Sequence, residues 1–179
     1  MSKHLTLKAK GFTLVELMVG IAIIAILSVV AIPNLSDFII KMRVDGEISE
    51  LNRLLLTARN TAINTEQNVT VCPISGNNCA ASNNWHGAIG VISADGELVK
   101  EKSSIKTGDK LQFDYVQIVY TATGRTVGDT SGTFSYCPNA HADKSRGIDV
   151  SSSGRTYSSK DTDNDGKDED RSGNEITCS

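Results

Sequence analysis

The chain has 179 residues, with 18 Lys and Arg against 21 Asp and Glu and a formal net charge of -3. That length holds one ordinary soluble domain beside any terminal segment. The acidic balance excludes a default nucleic-acid binder, because nonspecific affinity comes from many Lys and Arg side chains neutralising phosphates.

Residues 1–11 carry Lys3, Lys8 and Lys10, and from Phe12 to Ile32 the only charged side chain is Glu16. A helix of that length spans about 31 Å, which predicts a transmembrane segment over 12–33. A secretory signal ends in a small-x-small cleavage site, whereas Ile32-Pro33-Asn34 follows this run. Hydropathy fits two readings, an uncut anchor and a basic leader trimmed after Gly11. Gly11 has no side chain, so a protease can approach its backbone closely. A carboxylate in an apolar run needs a defined partner. If the mature chain starts at Phe12, the α-amine of a neighbouring subunit suits Glu16 in a staggered array of parallel helices. Losing the three lysines makes the mature chain more acidic.

Over 34–66 the apolar residues recur at steps of three and four, through Leu35, Phe38, Met42, Ile48, Leu51, Leu54, Leu55, Ala58 and Ala62. Charged residues fill the other faces, which predicts an amphipathic helix packing on a globular domain. Pro33 lacks an amide hydrogen and is expected to kink the helix, with Gly46 as a second weak point. Beyond Gln67 the pattern turns to short strands. They are expected at Val69–Val71, Ala88–Ile92, Glu97–Val99 after the Asp95-Gly96 turn, Leu111–Tyr120, Thr133–Cys137 and Ile148–Val150. The expected fold class is α+β: a long N-terminal transmembrane-plus-amphipathic helix on an antiparallel β-sheet or small β-sandwich, with 67–179 as a β-rich ectodomain.

The four cysteines, Cys72, Cys79, Cys137 and Cys178, lie beyond the apolar run. Basic residues before that run put them on the oxidising side of a membrane. Three pairings are open. Cys72–Cys79, closing a short polar loop, with Cys137–Cys178, fastening the C-terminus, is the favoured set. Zinc is a poorer reading at these spacings. The polar stretch 151–179 tends toward disorder unless such a bridge restrains it.

Within that stretch, Asp161, Asp163 and Asp165 precede Gly166 and reproduce the start of an oxygen-ligand calcium loop, with the Lys167 carbonyl and Glu169 as further ligands. Ser172 stands where a bidentate glutamate closes the full helix-loop-helix motif, so a shorter loop is the expectation. Lys144, Arg146, Arg155 and Lys160 form a candidate basic edge for DNA, with Tyr157 available to stack on a base. The neighbouring acidic run repels phosphate. Trp85 is expected to pack over the sheet edge. No arrangement of serine, cysteine, histidine or carboxylate recommends an enzyme, and no cofactor is required beyond the candidate calcium ion.

The segment Gly11-Phe12-Thr13-Leu14-Val15-Glu16-Leu17 resembles the prepilin signature of type IV pilins and type II secretion pseudopilins. The resemblance implies cleavage after Gly11, N-methylation of Phe12, an assembly role for Glu16, a proline at the position of Pro33 and a prepilin peptidase as partner. The rest resembles the GspH/FimT branch, FimU-type minor pilins in character. The matching stretches are Thr57–Ile63, Val69-Thr70-Val71-Cys72-Pro73, Trp85-His86-Gly87, Phe134-Ser135-Tyr136-Cys137-Pro138 and Ser153-Gly154-Arg155. This implies a minor pilin that primes or tips a type IV pilus, with other minor pilins, the major pilin and the inner-membrane assembly machinery as partners. It also implies a single-pass inner-membrane precursor with a periplasmic ectodomain, then a place at the pilus tip. The alternatives are a GspH-kind pseudopilin and a DNA-binding minor pilin for transformation. The DNA-binding version has Gly-Arg-x-Arg, and here Tyr157 replaces the second arginine.

Overall fold

A computed structural model describes residues 11–179. Helix α1 (Leu14–Thr65) is continuous through Pro33 and Gly46. The chain divides into two compact units, with the boundary between Ile39 and Ile40.

In the first unit the described residues are helix and its short lead-in. Phe12, Leu14, Leu17, Ile21, Ile24, Leu27 and Phe38 are all exposed. Among the described residues no helix is long and apolar enough to cross a membrane. That corrects the transmembrane part of the expected fold class, and with it the single-pass inner-membrane placement with a periplasmic ectodomain. Glu16 sits in the first turn of this helix, and a carboxylate is costly in a hydrocarbon core.

The second unit holds the rest of α1 and all the strands. A five-stranded antiparallel sheet runs in the order β2 (Asn78–Cys79), β1 (Val69–Ser75), β3 (Ile89–Ile92), β4 (Leu98–Lys102), and β6 (Ile118–Tyr120) also pairs with β1. A four-stranded antiparallel sheet runs β5 (Lys110–Gln112), β7 (Gly132–Cys137), β8 (Arg146–Val150), β9 (Thr156–Ser158). From Ile40 onward the helix buries Val44, Leu51, Leu54, Leu55, Ala58 and Ala62 in one core with Val69, Val71, Ile118, Phe134 and Ile148. The three-and-four spacing of these residues gives the helix a single apolar stripe, and the sheets cover it.

The expected strand Leu111–Tyr120 is two strands in different sheets. Its alternation ends at Phe113, which is buried and stacks on Phe134 with ring centroids 4.0 Å apart. Trp85 is fully buried rather than lying over a sheet edge, and it meets Phe113 and Phe134 edge to face. Its indole N–H donates to the Tyr115 carbonyl at 2.9 Å, which holds the crossover between sheets. An indole can be buried because its single donor is satisfied there.

Two of the buried charges are paired with the helix. Lys102, 2% exposed, bonds to Glu47 of the helix. Asp109 accepts from the Tyr136 hydroxyl at 2.5 Å and the Asn139 amide at 2.9 Å, with Arg43 at 3.2 Å. Burial, then the bond to Asp109, pushes the Tyr136 phenol well above its ordinary value. Gly154 has φ +73°, and a Cβ there would lie 1.9 Å from the Gly124 carbonyl oxygen. The turn before β9 therefore requires glycine.

Candidate functional site

Three regions carry the residues that sequence reasoning singles out. At the N-terminal end, Gly11 and Phe12 are exposed and precede the helix. Thr13 and Glu16 form a reciprocal capping box. The Glu16 amide donates to Thr13 Oγ1 at 3.2 Å, and the Thr13 amide and hydroxyl donate to Glu16 Oε2 at 2.9 and 2.7 Å. This satisfies helix N–H groups that have no partner within the helix. The Thr-x-x-Glu spacing is the signal for it. Reading Glu16 only as an unpaired carboxylate overlooks that local partner.

The second region is the C-terminal stretch, which one of two bridges fastens. Cys72 is joined to Cys79, and Cys137 to Cys178. Lys160 and Glu169 exchange backbone hydrogen bonds at 3.2 and 2.9 Å and so close the intervening loop. Asp161 accepts from the amides of Asn164 and Gly166, Asp163 from that of Asp165, and Asp165 from that of Lys167. These local bonds turn Asp161, Asp163, Asp165 and Glu169 toward one point, each offering one oxygen within 4.8 Å of the others. The cluster can coordinate a metal ion. The Lys167 amino group is engaged with both carboxylate oxygens of Glu175 at 2.9 Å, and that carboxylate holds the lysine above its ordinary pKa.

The third region is the proposed basic edge. The Arg171 guanidinium lies 4.3 Å from the centre of the Tyr157 ring, a partner that sequence spacing does not reveal. Hydrogen bonding from Arg155, with Arg171 nearby, holds the Tyr157 phenol below its ordinary range. Arg146 pairs with Asp45 at 2.5 Å and Asp168 at 3.5 Å, and Lys144 with Asp143 at 2.8 Å. Lys160 is exposed beside the acidic loop. Arg146 and Lys144 are thus offset by carboxylates, and one face of Tyr157 is covered by Arg171.

Against known proteins, residues 47–154 match the family described as type II transport protein GspH, and residues 6–32 match the prokaryotic N-terminal methylation motif. Two fimbrial proteins of Pseudomonas aeruginosa are each 38% identical over 61 residues, 34% of this chain. The chain spans about 40% of the length of those curated relatives. In fold the chain is similar to a crystal structure of the type IV minor pilin FimU of Pseudomonas aeruginosa. The TM-score is 0.53 at 20% identity, covering 67% of this chain and 90% of the other. A second crystal form of FimU gives a TM-score of 0.52 at 21% identity, covering 65% and 92%.

Proposed function

We propose a structural role for this chain, which belongs to the GspH family of type II transport proteins: it is a minor pilin that primes assembly of a type IV pilus or sits at its tip. The family is non-catalytic, and no reaction is assigned to the chain. The observation that carries the reading is the N-terminal helix, whose described large apolar side chains from Phe12 to Ile39 stay exposed in the single chain. A continuous apolar surface of this kind needs other subunits to cover it. Its N-terminal methylation motif supports processing, with a prepilin peptidase cutting after Gly11 and Phe12 becoming the methylated N-terminus. Glu16 then exchanges its bond to Thr13 for the α-amine of a neighbouring subunit, and Pro33 supplies a point where the helix can loosen on packing. Other minor pilins, the major pilin and the assembly machinery are the proposed partners. The partial identity to two fimbrial proteins supports a pilus, and the match to type II transport protein GspH keeps a secretion pseudopilin as the second reading. The carboxylates paired with Arg146 and Lys144, and the acidic loop beside Lys160, weigh against a DNA-binding role. For the acidic loop we propose calcium, which favours several carboxylate oxygens in a flexible loop.

The test is mass spectrometry of the chain recovered from its native cell, combined with crosslinking. Expected are an N-terminus at methylated Phe12 and crosslinks to other pilins. An intact leader in assembled material counts against the reading, and crosslinks to secretion pseudopilins alone transfer it to the type II secretion system.

A further inference from the structure

We propose that the loop 161–169 is a calcium-operated clasp for the C-terminal segment, with Glu169 as the ligand that closes it; this rests on the calcium reading above. Glu169 differs from the three aspartates. They are exposed, whereas Glu169 is only 5% exposed. Its Oε2 accepts from the Thr162 amide at 2.7 Å and the Thr162 hydroxyl at 2.6 Å. Its Oε1 is buried without any hydrogen-bond partner. A buried carboxylate oxygen left unpaired is costly, and such atoms are few in folded proteins. A cation in the cluster supplies the missing partner.

The donor set favours calcium. Calcium binds oxygens at 2.3–2.6 Å, so opposite ligands lie up to about 5 Å apart, while magnesium needs an octahedron at 2.0–2.1 Å. Four carboxylates converging from one flexible loop suit calcium, whereas magnesium usually keeps several waters and one or two carboxylates. The Lys167 carbonyl is the expected fifth ligand. The ammonium group of Lys167 is directed to Glu175 and lies 3.8 Å from Asp165.

Glu169 is also where the tail is fastened. It pairs with Lys160 on one side and with Glu175 on the other. Next to it the Asp168 carbonyl accepts from the Ile176 amide at 2.9 Å, and Ile176 is buried two residues before Cys178. Holding Glu169 against the aspartates therefore holds the strand-like pairings that lead to the second disulfide.

The experiment uses the purified full chain, stripped with a chelator and kept in a mild detergent that covers the exposed helix. Titration calorimetry with calcium chloride is expected to show one site per chain, with magnesium at least tenfold weaker. Glu169→Gln and Asp163→Asn should each weaken calcium at least tenfold. Hydrogen exchange should slow at least tenfold across 160–176 when calcium is added, with β7 unchanged. No calcium binding by the wild-type chain overturns both the calcium reading and the clasp. Full affinity in Glu169→Gln, or binding without slower exchange at 160–176, overturns the clasp and leaves the calcium reading standing. If Glu169→Gln loses its Cys137–Cys178 bridge or its circular dichroism, wild-type exchange and Asp163→Asn decide.

Discussion

One helix shows two kinds of apolar surface. Before Ile39 its large apolar side chains are exposed, Ile24 at 64%, whereas beyond Ile40 Leu54 and Ala58 are fully buried. Both stretches are rich in aliphatic residues. They differ in what stands opposite: the later stretch alternates its stripe with Arg43, Asp45, Glu47, Glu50 and Arg53, and the earlier one is apolar nearly all round. A charged far face suits a helix packed on one side against its own domain. A helix apolar on every side has no domain-sized partner within the chain, so its packing free energy is available to an assembly.

The strongest way to break this contrast is a pair of truncations. Leu54→Ala should lower unfolding free energy by about 2–5 kcal/mol in chemical denaturation, through lost burial and the cavity left behind. Ile24→Ala should change it by less than about 0.5 kcal/mol while reducing recovery of the chain in filaments. Equal destabilisation by both would show that the earlier helix is covered within the single chain.

A smaller effect concerns how the second unit holds its tail. The Cys137–Cys178 bridge spans 41 positions. Replacing both cysteines with serine removes a constraint on the unfolded chain worth roughly 2–4 kcal/mol, seen as a lowered denaturation midpoint. Removing Cys72–Cys79, with its separation of 7 positions, should cost less, because a shorter loop restricts the unfolded chain less.

The smallest effect is a pH dependence confined to the second unit. The Tyr136 pKa is raised in the fold by burial and by its bond to Asp109, and that of Tyr120 is raised mainly by burial. A raised folded-state pKa contributes stability that is complete below the unfolded value, about pH 10, and is lost as pH climbs toward the folded value. Thermal stability should therefore fall above pH 10. Tyr136→Phe should flatten that fall, leaving the part due to Tyr120. A wild-type melting temperature constant from pH 8 to 11 would contradict the burial of both phenols.

How much was legible in the sequence differs by region. The helical stripe from Ile48 to Ala62 is readable because burial on one face leaves a period in the residues themselves, whereas at its expected start Leu35, Phe38 and Met42 are exposed and Ile40 and Val44 are buried instead. The Thr13–Glu16 box is also local, four consecutive residues suffice to see it, yet attention to a partner in another subunit hides it. The strand run Leu111–Tyr120 misleads, since β-prone residues continue across the point where the chain changes sheet. What sends Phe113 inward is contact with Trp85 and Phe134, which lie 28 and 21 positions away in the chain. At the basic edge, Arg171 on Tyr157 and Asp45 on Arg146 are likewise long-range partners.

The sequence by itself determined the methylation motif, the basic start, the alternating aspartates and the amphipathic period, all of which depend on neighbours within a few positions. Only the tertiary structure decided which of three cysteine pairings forms, where the chain passes between sheets, and that Glu169 is buried with one oxygen unpaired. Those outcomes depend on which distant surfaces exclude water from one another, and local spacing does not encode that.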